Sequence, residues 1–111
     1  MMPEEDADIF QASTCAERLK ALGEPLRLRI IALLRHGEAS VGQIADALEV
    51  EVVTASHHLQ ILKHADFVTP RRDGRFIYYS IQKDVLRTKG KSSQVLDLGC
   101  CALEVPLQAR Q

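Results

Sequence analysis

VGQIADALEVEVVTASHHLQILKHA, residues Val41 to Ala65, carries apolar residues at helical spacing in two runs: Val41, Ile44, Ala45 and Leu48, then Ala55, Leu59 and Leu62. A few residues around Val50 part them, so the pattern predicts two short amphipathic helices. Neither can bury its stripe alone, and each must pack on the other and on a further element. One outward face of the second helix is then left free. On a helix beginning near Val52 that face includes Ser56, His57, Gln60 and Lys63, hydrogen-bonding and cationic groups without a carboxylate. A helix-turn-helix that lays its second helix in a DNA groove has this character, with Val52, Val53 and Thr54 at its leading end. A solvated helix hairpin in a small bundle is the competing reading.

Working outward, 111 residues allow one domain. About half of them are apolar, enough for a core, and chains of this size often gain stability by dimerising. No apolar run approaches the ~20 residues of a membrane span, and the acidic start PEEDAD is unlike a signal peptide, so the expected location is the cytoplasm, without membrane association. Three cysteines, two of them adjacent, do not suggest an intrachain disulfide framework and fit a reducing compartment. The net charge of −1 argues against a nonspecific polyanion binder. Its distribution is informative: residues 51–91 hold eight Lys or Arg against four Asp or Glu, leaving the remainder acidic. One basic surface on an otherwise acidic molecule suits a protein that docks a phosphate backbone in one orientation.

In chain order, residues 1–8 read as an acidic disordered tail. A helix is expected from about Ile9 to Leu22, ended by Gly23, and a largely buried one from Pro25 to Arg35, where proline in the first turn gives up no hydrogen bond. Arg27, Arg29 and Arg35 are expected to be solvated, with a place near phosphate as the alternative. After Ala65 the pattern becomes β-like. Phe67 to Arg72 and Arg75 to Ile81 flank Asp73-Gly74, a strong hairpin signal that places Arg71, Arg72 and Arg75 around the tip, where a phosphate or minor-groove contact would relieve their repulsion. Pro70 confines its strand to an edge. Gln82 to Arg87 can form a short helix, and TKGKSS, residues 88–93, is a polar basic break. The final VLDLGCCALEVPL shows neither a 2.0 nor a 3.6 period, yet is too apolar to be a free tail. The division expected is therefore a tail (1–8), a DNA-binding domain (9–87), and a C-terminal segment (88–111) that packs on a dimer interface or carries sensor cysteines.

Three blocks together resemble the ArsR/SmtB family of winged helix-turn-helix repressors. They are Ala21 to Ile30, ALGEPLRLRI, close to the family's ALGDPTRLRIL; Val41 to Leu62, ending in Ser56-His57-His58-Leu59; and the hairpin in which Asp73-Gly74-Arg75 precedes Tyr78-Tyr79. The resemblance implies a mainly α fold with a β-hairpin wing, a homodimer built on the terminal segments, the helix from Val52 in the major groove of double-stranded operator DNA, and a repressor that an inducer releases. Departures bear on the inducer. Where metal-sensing members have Cys-Val-Cys-Asp-Leu, this chain has Ser40, Val41, Gly42, Gln43 and Ile44, and no His follows His64, so the site of carboxylates and imidazoles on the last helix is missing. Glu51-Val52 replaces the Ser-Gln that opens many recognition helices, suggesting that Val52 or Val53 makes an apolar contact, for instance to a thymine methyl.

His57 and His58 point about 100° apart on a helix and cannot chelate one ion together. His58 lies on the apolar stripe and reads as a hydrogen-bonded core histidine, whereas His57 faces outward. Cys100-Cys101 keeps three readings. The cysteines could be small hydrophobes, thiols that sense redox state, or ligands of a soft ion such as As(III), Hg(II), Cd(II) or Cu(I). As(III) favours a pyramid of thiolates, and the one further cysteine is Cys15 on the first helix, so a Cys15, Cys100, Cys101 site is conceivable, helped by a turn at Gly99. No cofactor is required. No phosphate loop, nucleophile motif or metal-ligand spacing suggests an enzyme. The non-enzymatic alternatives are a thiol-redox-responsive repressor and a winged-helix protein-interaction module.

Overall fold

A computed structural model of the chain describes residues 11–106. The order of elements is α1 (Ala12–Leu22), α2 (Pro25–Leu34), β1 (Ala39–Ser40), α3 (Val41–Leu48), α4 (Val52–His64), β2 (Val68–Asp73), β3 (Phe76–Ile81), β4 (Leu86–Lys89), β5 (Ser93–Asp97) and β6 (Ala102–Pro106). They divide into two compact units, Lys20–Gln82 and a second made of 1–19 with 83–111. The acidic tail expected over 1–8 lies outside the described residues, as do Ile9 and Phe10 at the start of the first expected helix, whereas Gln11 lies in the left-handed region (φ 51°), so that helix begins at Ala12 and not at Ile9.

Local chemistry sets the helix limits in the Lys20–Gln82 unit. Glu24 caps α2, its carboxylate accepting from the backbone N–H of Leu26 (2.7 Å) and Arg27 (3.1 Å), while Pro25 fills the first helical position at no cost in hydrogen bonds. Ser40 opens α3 with a reciprocal capping box: Gln43 N–H donates to Ser40 Oγ at 3.1 Å, and Ser40 N–H donates to Gln43 Oε1 at 2.8 Å. The turn of the helix-turn-helix is made by Glu49 in the left-handed region (φ 56°), after which Glu51 begins α4 without a side-chain cap bond. A non-glycine residue there costs about 1 kcal/mol, which the packing on either side must offset. Ile30, Ile31, Leu34, Ile44, Leu48, Ala55, Leu59, Leu62, Phe67 and Val68 form that packing, all buried. Each large side chain among them contributes about 1.5–3 kcal/mol over exposure.

The wing is a three-stranded antiparallel sheet ordered β1-β3-β2. Pro70 does lie on an edge strand, opposite Tyr79. Asp73 pairs with Phe76, so the loop is Gly74-Arg75, and Gly74 carries its positive φ of 61°. The third strand, Ala39–Ser40, pairs with Tyr78 and Tyr79. Its two residues are too few for any periodic signature.

The other unit corrects two expectations. Gln82 to Arg87 is not a helix: residues 83–85 turn, and Leu86 begins β4. Residues 88–93 are the hairpin joining β4 to β5, and the C-terminal segment forms a second antiparallel sheet ordered β4-β5-β6. Central strand β5 buries the successive residues Val95 and Leu96. Because consecutive strand side chains point to opposite faces, burial on both faces erases the alternation that would mark a strand.

Candidate nucleic-acid interface and thiol centre

Ala55, Leu59 and Leu62 turn one side of α4 into the core with no exposed surface. The opposite side presents Val53, His57, Gln60 and His64, four and three residues apart, all exposed. Val52 and Val53 stand out from the leading end at 55% and 78% exposure, where an apolar residue gains nothing from water. Lys63 is exposed too, whereas Thr54 and Ser56 are half-buried on the flanks. Gln60 is not wholly available: its amide donates to Tyr79 Oη at 3.2 Å, linking helix to wing. Tyr79 is buried, and that burial pushes its phenol pKa up, keeping the hydroxyl neutral. His64 shares the outward stripe, a feature the 3.6 period of the sequence already contained.

His58 leans the other way. Half-buried, its Nδ1 lies 3.1 Å from Arg27 Nη1 and 3.9 Å from Glu24 Oε2, so it ties α4 to the capped start of α2. Arg27 also donates to the carbonyls of Ala21 and Lys20. Its expected solvation is therefore corrected: the ALGEPLRLRI segment uses this arginine as a brace.

The wing arginines differ from one another. Arg71 donates through Nη2 and Nε to Glu38 at 2.6 and 3.2 Å, lies 3.9 Å from Asp73, and sits over the Tyr78 ring at 4.9 Å. The hydrogen bond to Arg71 holds the Glu38 carboxyl below its ordinary pKa, and Glu38 raises that of Arg71. Arg75 lies over the exposed ring of Phe76 at 5.4 Å. Arg72 and Arg75 are exposed at the tip. Of the cations counted over 51–91, Lys83, Arg87, Lys89 and Lys91 belong to the other unit, where Arg87 pairs with Asp97 (3.3 Å) and Lys89 with Glu104 (2.6 Å).

That other unit brings the three cysteines together. Cys15 and Cys100 are joined as a disulfide across 85 residues, which corrects the expectation that the cysteines form none. Cys101 is a free, exposed thiol whose sulfur lies 3.7 Å from that of Cys15 and 4.0 Å from that of Cys100. The cause is the turn between β5 and β6. Leu98 N–H donates to Cys101 C=O at 2.9 Å, Asp97 Oδ1 accepts from Gly99 N–H at 2.8 Å, and Gly99 adopts φ 88°. The bond from Gly99 holds the Asp97 carboxyl below its usual pKa, with a smaller share from Arg87. Arg18, one helical turn beyond Cys15, donates to Leu98 C=O, and a Cβ at Gly99 would lie 2.7 Å from its Nη1. Adjacent cysteines thus face one neighbour instead of opposite sides of a strand.

Comparison with known proteins accords with this architecture. Residues 22–71 match a helix-turn-helix domain model. The transcriptional repressor SdpR of Bacillus subtilis (strain 168) is 41% identical over 68 residues, which are 61% of this chain and 76% of that protein. A cadmium resistance transcriptional regulatory protein, the CadC homologue of Staphylococcus aureus, is 36% identical over 62% of this chain and 58% of its own length. Among solved structures, the homodimeric winged helix-turn-helix DNA-binding domain of a possible ArsR-family regulator from Mycobacterium bovis superposes with a TM-score of 0.64 at 38% identity, covering 73% of this chain and 75% of that one. No helix among the described residues is long and apolar enough to cross a membrane. Helix-turn-helix, wing and relatives together establish that the chain belongs to the ArsR/SmtB family of DNA-binding transcriptional regulators, which are not enzymes.

Proposed function

We propose that the chain is a homodimeric repressor of the cytoplasm that binds operator DNA through α4 and the wing, and that a thiophilic metal or metalloid ion held by Cys15, Cys100 and Cys101 releases it. The observation that carries the inducer class is the mutual approach of three sulfurs within 4.8 Å. With bonds of about 2.3 Å at tetrahedral angles, an ion holds its thiolates about 3.8 Å apart. The separations of 3.7 and 4.0 Å from Cys101 already suit that spacing, and reduction of the Cys15–Cys100 bond frees the other two ligands. Thiolates select soft ions, in keeping with the cadmium-resistance name of one relative. The homodimeric neighbour supports the assembly. Release follows from linkage: an ion that prefers the low-affinity state weakens DNA binding by the factor by which DNA weakens ion binding. Titrating the reduced, operator-bound protein with As(III), Cd(II), Hg(II) and Cu(I) tests this. Dissociation by one or more is expected, and an operator complex indifferent to all four overturns the inducer assignment.

On the DNA side, Val52, Val53, Thr54, Ser56, His57 and Lys63 are proposed to meet the groove, with Gln60 sharing its amide between Tyr79 and DNA. Ser56→Ala and His57→Ala should each weaken specific binding by about 1–3 kcal/mol without altering the fold, measured by operator titration against circular dichroism. Unchanged affinity in both would remove α4 from the reading role.

The wing contacts phosphate. Neutralising Arg72 or Arg75 should weaken operator and random duplex alike and lower the salt slope by about 1, whereas Arg71→Gln should do less, since Glu38 already holds that charge. Glu38→Gln should conversely strengthen binding to random DNA and steepen its salt dependence. Equal slopes for the Arg71, Arg72 and Arg75 variants would show that the ion pair does not survive on DNA.

A further inference from the structure

Resting on the three-thiol capture proposed above, we infer that the Cys15–Cys100 disulfide and the ion site are alternative states of one set of sulfurs, so that a small-molecule disulfide acts as a second input that closes the site to the ion. The two functions need the same atoms. Cys15 and Cys100 are bonded to each other, Cys101 alone keeps a thiol, and all three sulfurs belong to a single cluster. In the oxidised state one thiol remains for an ion that prefers three. In the reduced state three are free.

The step balances. Cys100 thiolate attacks one sulfur of a small-molecule disulfide, forming a mixed disulfide and expelling one thiolate. Cys15 thiolate then attacks Cys100 Sγ, forming the intramolecular bond and expelling the second small thiolate. The two protein thiols are oxidised by two electrons, the small disulfide is reduced to two thiols, and the protons lost by the cysteines are taken up by the leaving thiolates. Cys101 is unchanged, and it is exposed in the oxidised protein. The turn that presents it survives in the oxidised protein, held by Leu98 N–H to Cys101 C=O and by Arg18 to Leu98 C=O.

Mutual exclusion has a reciprocal consequence. An ion that binds the dithiol state but not the disulfide draws the couple toward reduction, and each tenfold excess of ion over its dissociation constant raises the midpoint potential by about 30 mV. Oxidation therefore shuts out the ion, and a bound ion protects Cys15 and Cys100 from oxidation. Such a regulator would answer a thiophilic ion only while its surroundings keep thiols reduced.

The experiment uses the full chain in two preparations, reduced under anaerobic conditions or oxidised with glutathione disulfide, each freed of small thiols before Cd(II) is added alone. The thiolate-to-metal charge-transfer band should appear on the reduced protein and be lost on the oxidised one. After oxidant challenge, removal of the oxidant and stripping of the ion with a chelator in denaturant, alkylation and mass spectrometry should count three free cysteines in protein preloaded with Cd(II), but one, Cys101, in unloaded protein. Cys101→Ser separates the parts: it should still form the Cys15–Cys100 bond while its reduced form binds Cd(II) more weakly. Equal Cd(II) binding by both preparations, or equal oxidation with and without the ion, overturns the inference while leaving three-thiol capture standing. A reduced protein that binds no ion at all overturns both.

Discussion

Serine at position 15, 100 or 101 is expected to abolish ion-triggered release while leaving operator affinity in the absence of ion unchanged. Each substitution removes one sulfur from a cluster of three, and the ion loses a ligand that a hydroxyl does not replace. With a coupling free energy of about 1–3 kcal/mol, the parent protein should lose roughly 5- to 150-fold in operator affinity at saturating ion, and the variants should lose none. None of the three cysteines lies on α4, so the unliganded affinity supplies an internal control. Gly99→Ala is a subtler probe, because it keeps all three thiols. Its φ of 88° is unfavourable to alanine, and the added Cβ would crowd Arg18, whose bond to Leu98 C=O steadies the turn. Its ion response should be blunted, at a stability cost of about 1–2 kcal/mol. Fluorescence anisotropy of labelled operator, with and without each ion, reads both quantities. A parent-like response in all three serine variants would make the cysteines packing residues. Dependence on Cys100 and Cys101 but not Cys15 would indicate a two-thiol site suited to Hg(II).

Leu59→Ala should strongly destabilise the DNA-binding unit. Leu59 has no exposed surface and lies between Ala55 and Leu62 on the side of α4 that meets the core. Truncation removes buried methyl groups and leaves a cavity, so the expected cost is about 2–5 kcal/mol. For a domain of this size that is a large fraction of total stability, and operator binding should fall with it. Leu28→Ala is the control: Leu28 belongs to the neighbouring helix but is 49% exposed, and its loss should cost about 0.5 kcal/mol or less. Urea unfolding at fixed protein concentration, with the midpoint moving and the slope constant, is the check. Equal midpoints for the two variants would mean that α4 does not anchor in this core.

The wing illustrates how far residue types alone carry. Asp73-Gly74 announced the hairpin, and Pro70 placed its strand at an edge, because positive φ and a missing donor are properties of single residues. Three arginines at the tip were equally visible. Their unequal freedom was not, since Glu38 meets Arg71 across 33 residues of sequence. The same holds for Gln60, whose outward position on α4 follows from its spacing but whose bond to Tyr79 depends on where β3 passes.

By itself the sequence determined the helix-turn-helix, its helix limits, the outward side of α4 and the hairpin. In each case the deciding interaction is local: a cap, a turn residue, or an apolar stripe repeating every three or four residues. Only the tertiary structure decided the second sheet, where Val95 and Leu96 are both buried and no alternation remains to be read. It alone decided that Arg27 braces His58, and that Cys15, far along the chain from Cys100 and Cys101, shares one cluster with them. Contacts across 31 and 85 residues depend on how whole elements pack, and the entropy of closing such loops is repaid by burial elsewhere in the fold, so no pattern near either residue records them.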